Sequence, residues 1–412
     1  MQLVAYGAQD IYLTGNPQIT FFKVVYRRHT NFAMESVQQT WNGSSTTDGR
    51  CTATISRNGD LVHRLYLEID GTSTSTDKNN PTSYAITSVE VEIGGQRIDK
   101  QTGLWMEVWA ELTEPNPTGV VGDADDNVGA TSSTLFQRMS GMGGVNKSDG
   151  KANTYFVPLQ FWFCRNPGLA LPLIALQYHE VKIILEHTFK ARFTTLSSNN
   201  LWADYIYLDT DERRRFAQVS HEYLIEQVQF SNSSANTTHK LNFNHPVKEL
   251  VWTGGVVTSS ISYDTNDGDP SVSGALKGPS TPQGFDGSTS VGQTCQLKLN
   301  GHDRFAARDA RYFTRAQVWQ HHTGYGSIVA DKSADTNEDT SNDNEALGRG
   351  DNIGVYSFAL KPEEHQPSGT CNFSRIDNAQ MVLANSSALY IYAVNYNVLR
   401  IMSGMGGLAY SN

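Results

Sequence analysis

Hydrophobic and polar residues alternate with a period of two over much of the chain, the signature of strands with one buried face. Leu61, His63, Leu65, Leu67 and Ile69 share one face of such a strand, with Val62, Arg64, Tyr66 and Glu68 on the other. Val89, Val91 and Ile93 alternate with Glu90 and Glu92 and run into Gly94-Gly95. Farther on, Tyr390, Tyr392, Val394, Tyr396 and Val398 lie opposite Leu389, Ile391, Leu399 and Ile401. Helical spacing is scarce: Thr102 to Leu112 predicts one short helix and Arg304 to Trp319 another. The pattern is that of an all-β chain with few short helices.

The two halves echo one another. Val91-Glu-Ile-Gly-Gly-Gln-Arg-Ile98 and Leu297-Lys-Leu-Asn-Gly-His-Asp-Arg-Phe305 both read as strand, glycine turn, arginine and apolar residue. Phe161 through Pro167-Gly168 to Ile174 resembles Phe358 through Pro367 to Ile376, and Asp60 to Leu65 resembles His245 to Leu250. Three matches in one order at similar offsets imply an ancient duplication. A chain of 412 residues also exceeds what a single hydrophobic core serves, so two domains are expected. Their boundary falls between Thr210 and Ser220, where strand-like Tyr205-Ile-Tyr-Leu208 gives way to a charged stretch. The Ser-Gly-Met-Gly-Gly copies at Ser140 and Ser403 lie outside this register and read as independent turns. Three segments lack periodicity: Asn116 to Asn153, Gly254 to Gln293 and Gly324 to Asp351, the last of them acidic. They are expected to project outward as loops.

Charge narrows the function. The formal net charge is −10, whereas a nucleic-acid coat needs a basic face. The only basic runs, Arg27-Arg28-His29 and Arg213-Arg214-Arg215, are expected to form ordinary ion pairs, so direct nucleic-acid binding is disfavoured. The four cysteines lie far apart with no CxxC pair, and free thiols are expected. The N-terminus lacks the basic and apolar regions of a signal peptide, and the strongly apolar stretch Leu169 to Leu176 is too short to span a bilayer.

No motif for catalysis, cofactor binding or metal binding emerges. Gly141 to Ser148 has Asn146 where a phosphate loop needs glycine before Lys147. His179-Glu180 and His221-Glu222 lack the second histidine of a zinc-protease helix. His302-Asp303 and His321-His322 lack the His-x-His pair of a metal-binding cupin and read as surface or packing residues. Asn42, Asn146, Asn232, Asn236, Asn372 and Asn385 stand in Asn-x-Ser/Thr acceptors, of which Asn232, Asn236 and Asn385 are the candidate glycosylation sites.

Gln2-Leu-Val-Ala-Tyr-Gly-Ala-Gln-Asp10, Tyr12-Leu-Thr-Gly-Asn-Pro-Gln-Ile-Thr-Phe-Phe-Lys23 and Tyr26-Arg-Arg28 resemble the N-terminal signature of the major capsid proteins of large nucleocytoplasmic DNA viruses. The likeness is greatest to the algal viruses, the chlorovirus and phycodnavirus group. It continues through Glu92 to Lys100, Asn166 to Val181, Gln366 to Asp377 and Asn395 to Tyr410, and departs mainly in the three long loops.

The resemblance implies a double jelly roll, two tandem eight-stranded sandwiches. It implies an N-terminal arm at the capsomer base over residues 1–24, a first jelly roll over 25–210 and a second over 211–412. The protein is then a coat subunit rather than an enzyme. It forms homotrimers of pseudo-hexagonal outline that tile an icosahedral shell, is assembled in the host cytoplasm and has no cofactor. Partners are neighbouring capsomers, minor capsid proteins, host-surface glycans and, peripherally, the inner virion membrane. Tyr12, Asn16, Pro17, Phe21, Phe22, Arg27 and Arg28 are the candidate residues of the basal arm. Arg97, Arg213 and Arg375 are expected in ion pairs, and Gly94-Gly95 and Asn300-Gly301 in hairpin turns. The alternative is a carbohydrate-binding or minor, spike-like paralogue of the same fold. It would need aromatic side chains in the loops, where only Phe136, Tyr263, Phe285 and Tyr325 occur.

Overall fold

The computed structural model describes residues 8–73, 80–115, 134–143, 152–191, 193–254, 294–324, 326, 328–330, 347–349 and 353–410. After a four-residue helix, α1 (Ile11–Thr14), no regular element forms until β1 (Phe32–Gln39). The first half continues through β2 (Trp41–Gly43), β3 (Gly49–Thr54), β4 (Leu61–Ser73), helix α2 (Pro81–Ala85), β5 (Ile86–Ile93) and β6 (Gln96–Thr102). Helices α3 (Gly103–Thr113) and α4 (Leu135–Ser140) precede β7 (Ala152–Pro158). Helix α5 (Trp162–Arg165), β8 (Leu171–Pro172), β9 (Val181–His187) and β10 (Phe193–Leu208) complete the half. Two antiparallel layers result, β1-β10-β4-β7 and β2-β3-β9-β5-β6.

Helix α6 (Thr210–Gln218), capped by the Asp209 carboxylate on the Thr210 N–H, leads into the second half. There β11 (His221–Lys240) and β12 (Pro246–Thr253) are followed by β13 (Thr294–Leu299), β14 (His302–Asp303) and β15 (Arg308–Asp309). A π-helical turn (Tyr312–Ala316) runs into α7 (Gln317–His321), and the short pair β16 (Ile328–Ala330) and β17 (Leu347–Arg349) follows. Last come β18 (Ile353–Ser357), β19 (Cys371–Asn372), β20 (Ala379–Met402) and β21 (Met405–Leu408).

The two long strands each serve both layers of the second half. Residues 221–233 of β11 pair with 389–401 of β20, whose other edge meets β12 and then β18. Past register shifts near Asn236, the ends of the same strands pair again, and there β20 meets β13 and then β14. The resulting orders, β11-β20-β12-β18 and β11-β20-β13-β14, repeat β1-β10-β4-β7 and β3-β9-β5-β6. All three sequence echoes fall on equivalent places: the β5–β6 and β13–β14 hairpins, the starts of β4 and β12, and the segments after β7 and β18. Both hairpin turns need two consecutive positive φ angles. Gly94 (φ 57°) and Gly95 (φ 86°) supply them in one, Asn300 (φ 51°) and Gly301 (φ 79°) in the other.

Each sandwich surrounds a core made mostly of its own residues. Leu65, Leu67, Ile69, Val89, Val91, Ile183, Leu185, Leu201 and Ala203 face one another in the first, and Leu250, Trp252, Leu297, Phe313, Leu389 and Ile391 in the second. Two expectations change. The segment Asn116 to Asn153 contains α4, held by a capping box in which Thr134 accepts from the Gln137 N–H and Gln137 accepts from the Thr134 N–H. The segment Gly324 to Asp351 contains the β16–β17 pair. The Gly254 to Gln293 segment, from residue 255, lies outside the described residues. The two Ser-Gly-Met-Gly-Gly copies do different work: Gly141 ends α4 and Gly404 turns the β20–β21 hairpin. No helix is long and apolar enough to cross a membrane among the described residues.

Candidate functional site

The seven arm candidates lie on a stretch of chain that packs on almost nothing. Asn16 has a positive φ of 51° and, with Pro17, turns the chain after α1. Tyr12 is 89% exposed and Phe22 97%, and Ile19, Phe21, Val24, Val25 and Tyr26 are equally bare. Each such side chain left in water forgoes about 1.5–3 kcal/mol that burial would supply. An exposed apolar run of this length is the kind of patch that marks interaction surfaces. Arg27 and Arg28 are exposed and hold no ion pair among the described residues, contrary to the expectation for that run. Arg213 does hold one, its Nε 2.9 Å from the buried Asp60 carboxylate, but on a helix rather than beside a strand. Arg97 and Arg375 make no ion pair among the described residues.

The three glycosylation candidates converge. Asn232 and Asn236 are exposed on β11 and Asn385 on β20, at the corner where these strands pass from one layer to the other. Asn236 lies across from Ser387 and Asn232 across from Tyr390. Asn42 and Asn372 are also exposed but stand elsewhere, and Asn146 lies outside the described residues.

Between the halves is a seam that the sequence pattern did not reveal. Helix α3 starts where Thr102 accepts from the Trp105 N–H, and it buries two faces. Met106 and Ala110 enter the first core. Trp105, Val108, Trp109 and Leu112 lie on the outer face of β11-β20-β12-β18, against Val228, Val251, Val355, Tyr392 and Val394. Trp105 stands 5.0 Å from the Tyr392 ring centre, and the Tyr392 hydroxyl is 3.1 Å from Thr102 Oγ1.

Beside this apolar contact runs a chain of buried charges. Glu226 on β11 meets Arg165 of the first half (3.0 Å) and Lys248 on β12 (2.9 Å), whose side chain is 0% exposed. Arg165 also lies over the Trp109 ring, 4.4 Å from its centre. Burial opposes the charge on Glu226, but a hydrogen bond from His365 and the Lys248 and Arg165 cations outweigh it and bring the carboxyl down to about 2. Also against Trp109, edge-on at 6.4 Å between ring centres, His322 places Nε2 3.1 Å from Glu249 and Nδ1 3.0 Å from Glu363. Burial works against an imidazolium there, yet the two carboxylates hold it up to about 9. His322 is thus a buried ion-pair partner, neither a surface residue nor simple packing. Asp99 on β6, pushed up to about 6 by burial, accepts from the Val228 N–H. The sequence did carry one signal: Lys248 and Glu249 interrupt the otherwise apolar strand Val247 to Trp252.

The β20–β21 hairpin crosses the same seam in the other direction. Leu399 and Ile401, with Ile225, belong to the first core, and the Leu408 N–H donates to Gln96 Oε1. Tyr178 donates its N–H to the Gly404 carbonyl. Among the described residues no group of three or more His, Cys, Asp or Glu is placed to hold a metal ion. The four cysteines are free thiols, and burial pushes those of Cys51, Cys164 and Cys295 up to about 12.

The chain matches known proteins across nearly its whole length. Residues 20–209 match the family described as the major capsid protein N-terminus, and residues 212–327 and 348–407 match the large eukaryotic DNA virus major capsid protein. The chain is 51% identical to the major capsid protein of Pyramimonas orientalis virus, over 100% of this chain and 99% of that one. It is 40% identical to that of Paramecium bursaria Chlorella virus 1, with the same coverage. The capsid subunit in the quasi-atomic capsid structure of the latter superposes with a TM-score of 0.75, at 36% identity over 95% of this chain and 100% of that one. The Faustovirus major capsid protein, at 13% identity and a TM-score of 0.58, shares the fold. The double jelly roll and the likeness to algal-virus coats both hold, and the chain belongs to the major capsid protein family of large eukaryotic DNA viruses.

Proposed function

We propose that three copies of this chain close into a capsomer of pseudo-hexagonal outline and that these capsomers tile an icosahedral shell. The observation that carries the reading is the repeated strand order. Two equivalent sandwiches per chain, taken three times, give six similar edges under threefold symmetry. The domain division is 1–24 for the arm, 25–210 for the first jelly roll and 211–412 for the second. The arm lies at the base of the capsomer, where its bare aromatic residues Tyr12, Phe21 and Phe22 meet minor capsid proteins and, peripherally, the inner membrane. Asn232, Asn236 and Asn385 carry glycans, and host-surface glycans are contacted through the outer loops. Assembly takes place in the host cytoplasm, without nucleic-acid contact. The chain acts by assembly, with no catalysis and no cofactor.

Light scattering and negative-stain microscopy test this. The expected particle has three times the 45.5 kDa of one chain and a hexagonal outline. A chain that stays monomeric at high concentration overturns the reading. Removing residues 1–24 is expected to leave the trimer intact and to abolish binding to the shell's inner components.

A further inference from the structure

The chain contains three Asn-Gly pairs, Asn42-Gly43, Asn58-Gly59 and Asn300-Gly301. In such a pair the glycine, lacking a Cβ, lets its backbone nitrogen approach the preceding side-chain amide, the first step of deamidation. The fold treats the three differently. Asn42 and Gly43 lie in the β2–β3 ladder opposite Thr52 and Cys51, which holds their backbone in place. Asn300 is locked through its own amide, whose Oδ1 accepts from the Asp377 N–H at 2.9 Å and the Asn378 N–H at 3.3 Å. Asn58 lies in a bend between β3 and β4 and is exposed. Neither its side-chain amide nor the Gly59 N–H has a hydrogen-bond partner among the described residues.

The residues on either side of this pair are fixed. Ser56 donates its N–H and its hydroxyl to Gln39 Oε1, at 2.9 and 3.0 Å. Arg57 reaches the segment before β9 and donates to the carbonyls of Leu176, Gln177 and His179. Asp60 donates its N–H to the Ile206 carbonyl, and its carboxylate takes the Leu208 N–H and the Arg213 guanidinium, each at 2.9 Å. Packing also demands the glycine. A Cβ on Gly59 would stand 2.8 Å from that of Tyr205, which is buried in the first core. The residue that leaves Asn58 reactive therefore cannot be exchanged for a protecting one without moving Tyr205.

We propose that Asn58 is a site of spontaneous deamidation, the point at which this coat protein ages. The Gly59 nitrogen bonds to the Asn58 side-chain carbonyl carbon, and its proton leaves with the amide nitrogen as ammonia, giving a cyclic succinimide. Water then opens the ring at either carbonyl. One product is aspartate. The other is isoaspartate, in which the main chain runs through the former side chain and gains a methylene. Either product sets a new carboxylate two residues from Asp60, whose own charge is engaged by Arg213. Isoaspartate also lengthens the link between Arg57 and Asp60, so the Arg57 guanidinium no longer meets all its carbonyls. Those carbonyls flank Tyr178, whose N–H holds the Gly404 carbonyl of the β20–β21 hairpin. The lesion thereby reaches a contact between the two halves.

Peptide mass spectrometry of the full folded chain, incubated in mildly alkaline buffer beside a sample in denaturant, tests this. Labelling with an isoaspartyl methyltransferase separates the two products. In the folded chain the Asn58 peptide is expected to take on the amide-to-acid mass shift while the Asn42 and Asn300 peptides keep their amides. In denaturant all three are expected to convert. Asn58→Gln, whose longer side chain closes the ring far more slowly, is expected to lose the shift and to leave circular dichroism unchanged. Hydrogen exchange at the Tyr178 amide is expected to rise in isoaspartyl chains and not in Asn58→Gln aged alongside. A folded chain that keeps Asn58 intact while the denatured chain converts, or that converts Asn42 or Asn300 first, overturns the assignment. Unchanged exchange at Tyr178 in isoaspartyl chains overturns the route to the hairpin.

Discussion

Replacing Glu226 by Gln keeps the shape of the side chain and removes the one negative charge that holds Arg165 and Lys248 together. Lys248 then remains fully buried beside a neutral amide. Breaking a buried ion pair from one side costs about 3–5 kcal/mol. The depressed carboxyl gives a similar figure: a fall from 4.5 to about 2 corresponds to about 3 kcal/mol of stability at neutral pH. For a half of roughly 200 residues this lowers the melting temperature by about 6–20 °C. Calorimetry at fixed scan rate and pH 7 reads it. The sign follows from the depressed folded value. The contribution is present above pH 4.5 and is lost as pH falls toward 2, so wild type and variant converge in acid. Adding Lys248→Met to Glu226→Gln removes the stranded cation and restores most of the loss. A single variant that melts within 1 °C of wild type, or a double variant no better than the single, refutes the account.

Two further predictions follow from the seam. His322 is held up to about 9 by Glu249 and Glu363, so its contribution is complete below pH 6.5 and disappears as pH rises through 9. Melting temperature is expected to fall across that window in the wild type and to be flat in His322→Gln. Gly103→Ala places a Cβ 2.0 Å from the Ser83 carbonyl oxygen and 2.2 Å from that of Ile86. Both obstacles are backbone, so α3 is displaced from the second sheet at a cost of about 1–3 kcal/mol, read by denaturant titration; an unchanged midpoint contradicts this.

The single-faced strands were readable because one side meets a core and the other meets water: β4 and β5 stand where alternation put them. The Thr102 to Leu112 helix was readable too, its range nearly that of α3. Its second role was not, because residues 105, 108, 109 and 112 bury their side chains against a sheet formed from sequence far away. The passage of β11 and β20 through both layers was hidden for a related reason. A corner passed without a glycine or proline break leaves no punctuation. Helix α4 was missed because six residues are too few for a helical period to show, although Thr134 and Gln137 had the spacing of a capping box. The arm was expected only by resemblance; its apolar residues form no period. The seam charges were least visible, since a lysine within a strand reads as solvent-facing until the layer covering it is known.

The β20–β21 hairpin bears on the order in which the chain becomes competent. Ile225, Leu399 and Ile401 complete a core whose other residues all precede α6. A ribosome makes the rest of this core, and Ile225 soon after it, long before it makes Leu399 and Ile401. Until then, that sandwich has a gap in its interior and an empty berth beside Gln96 and Tyr178. The earliest-made part of the chain is thus finished by residues roughly 190 positions after its last strand, and a chain cut before Leu399 carries a defect in both halves.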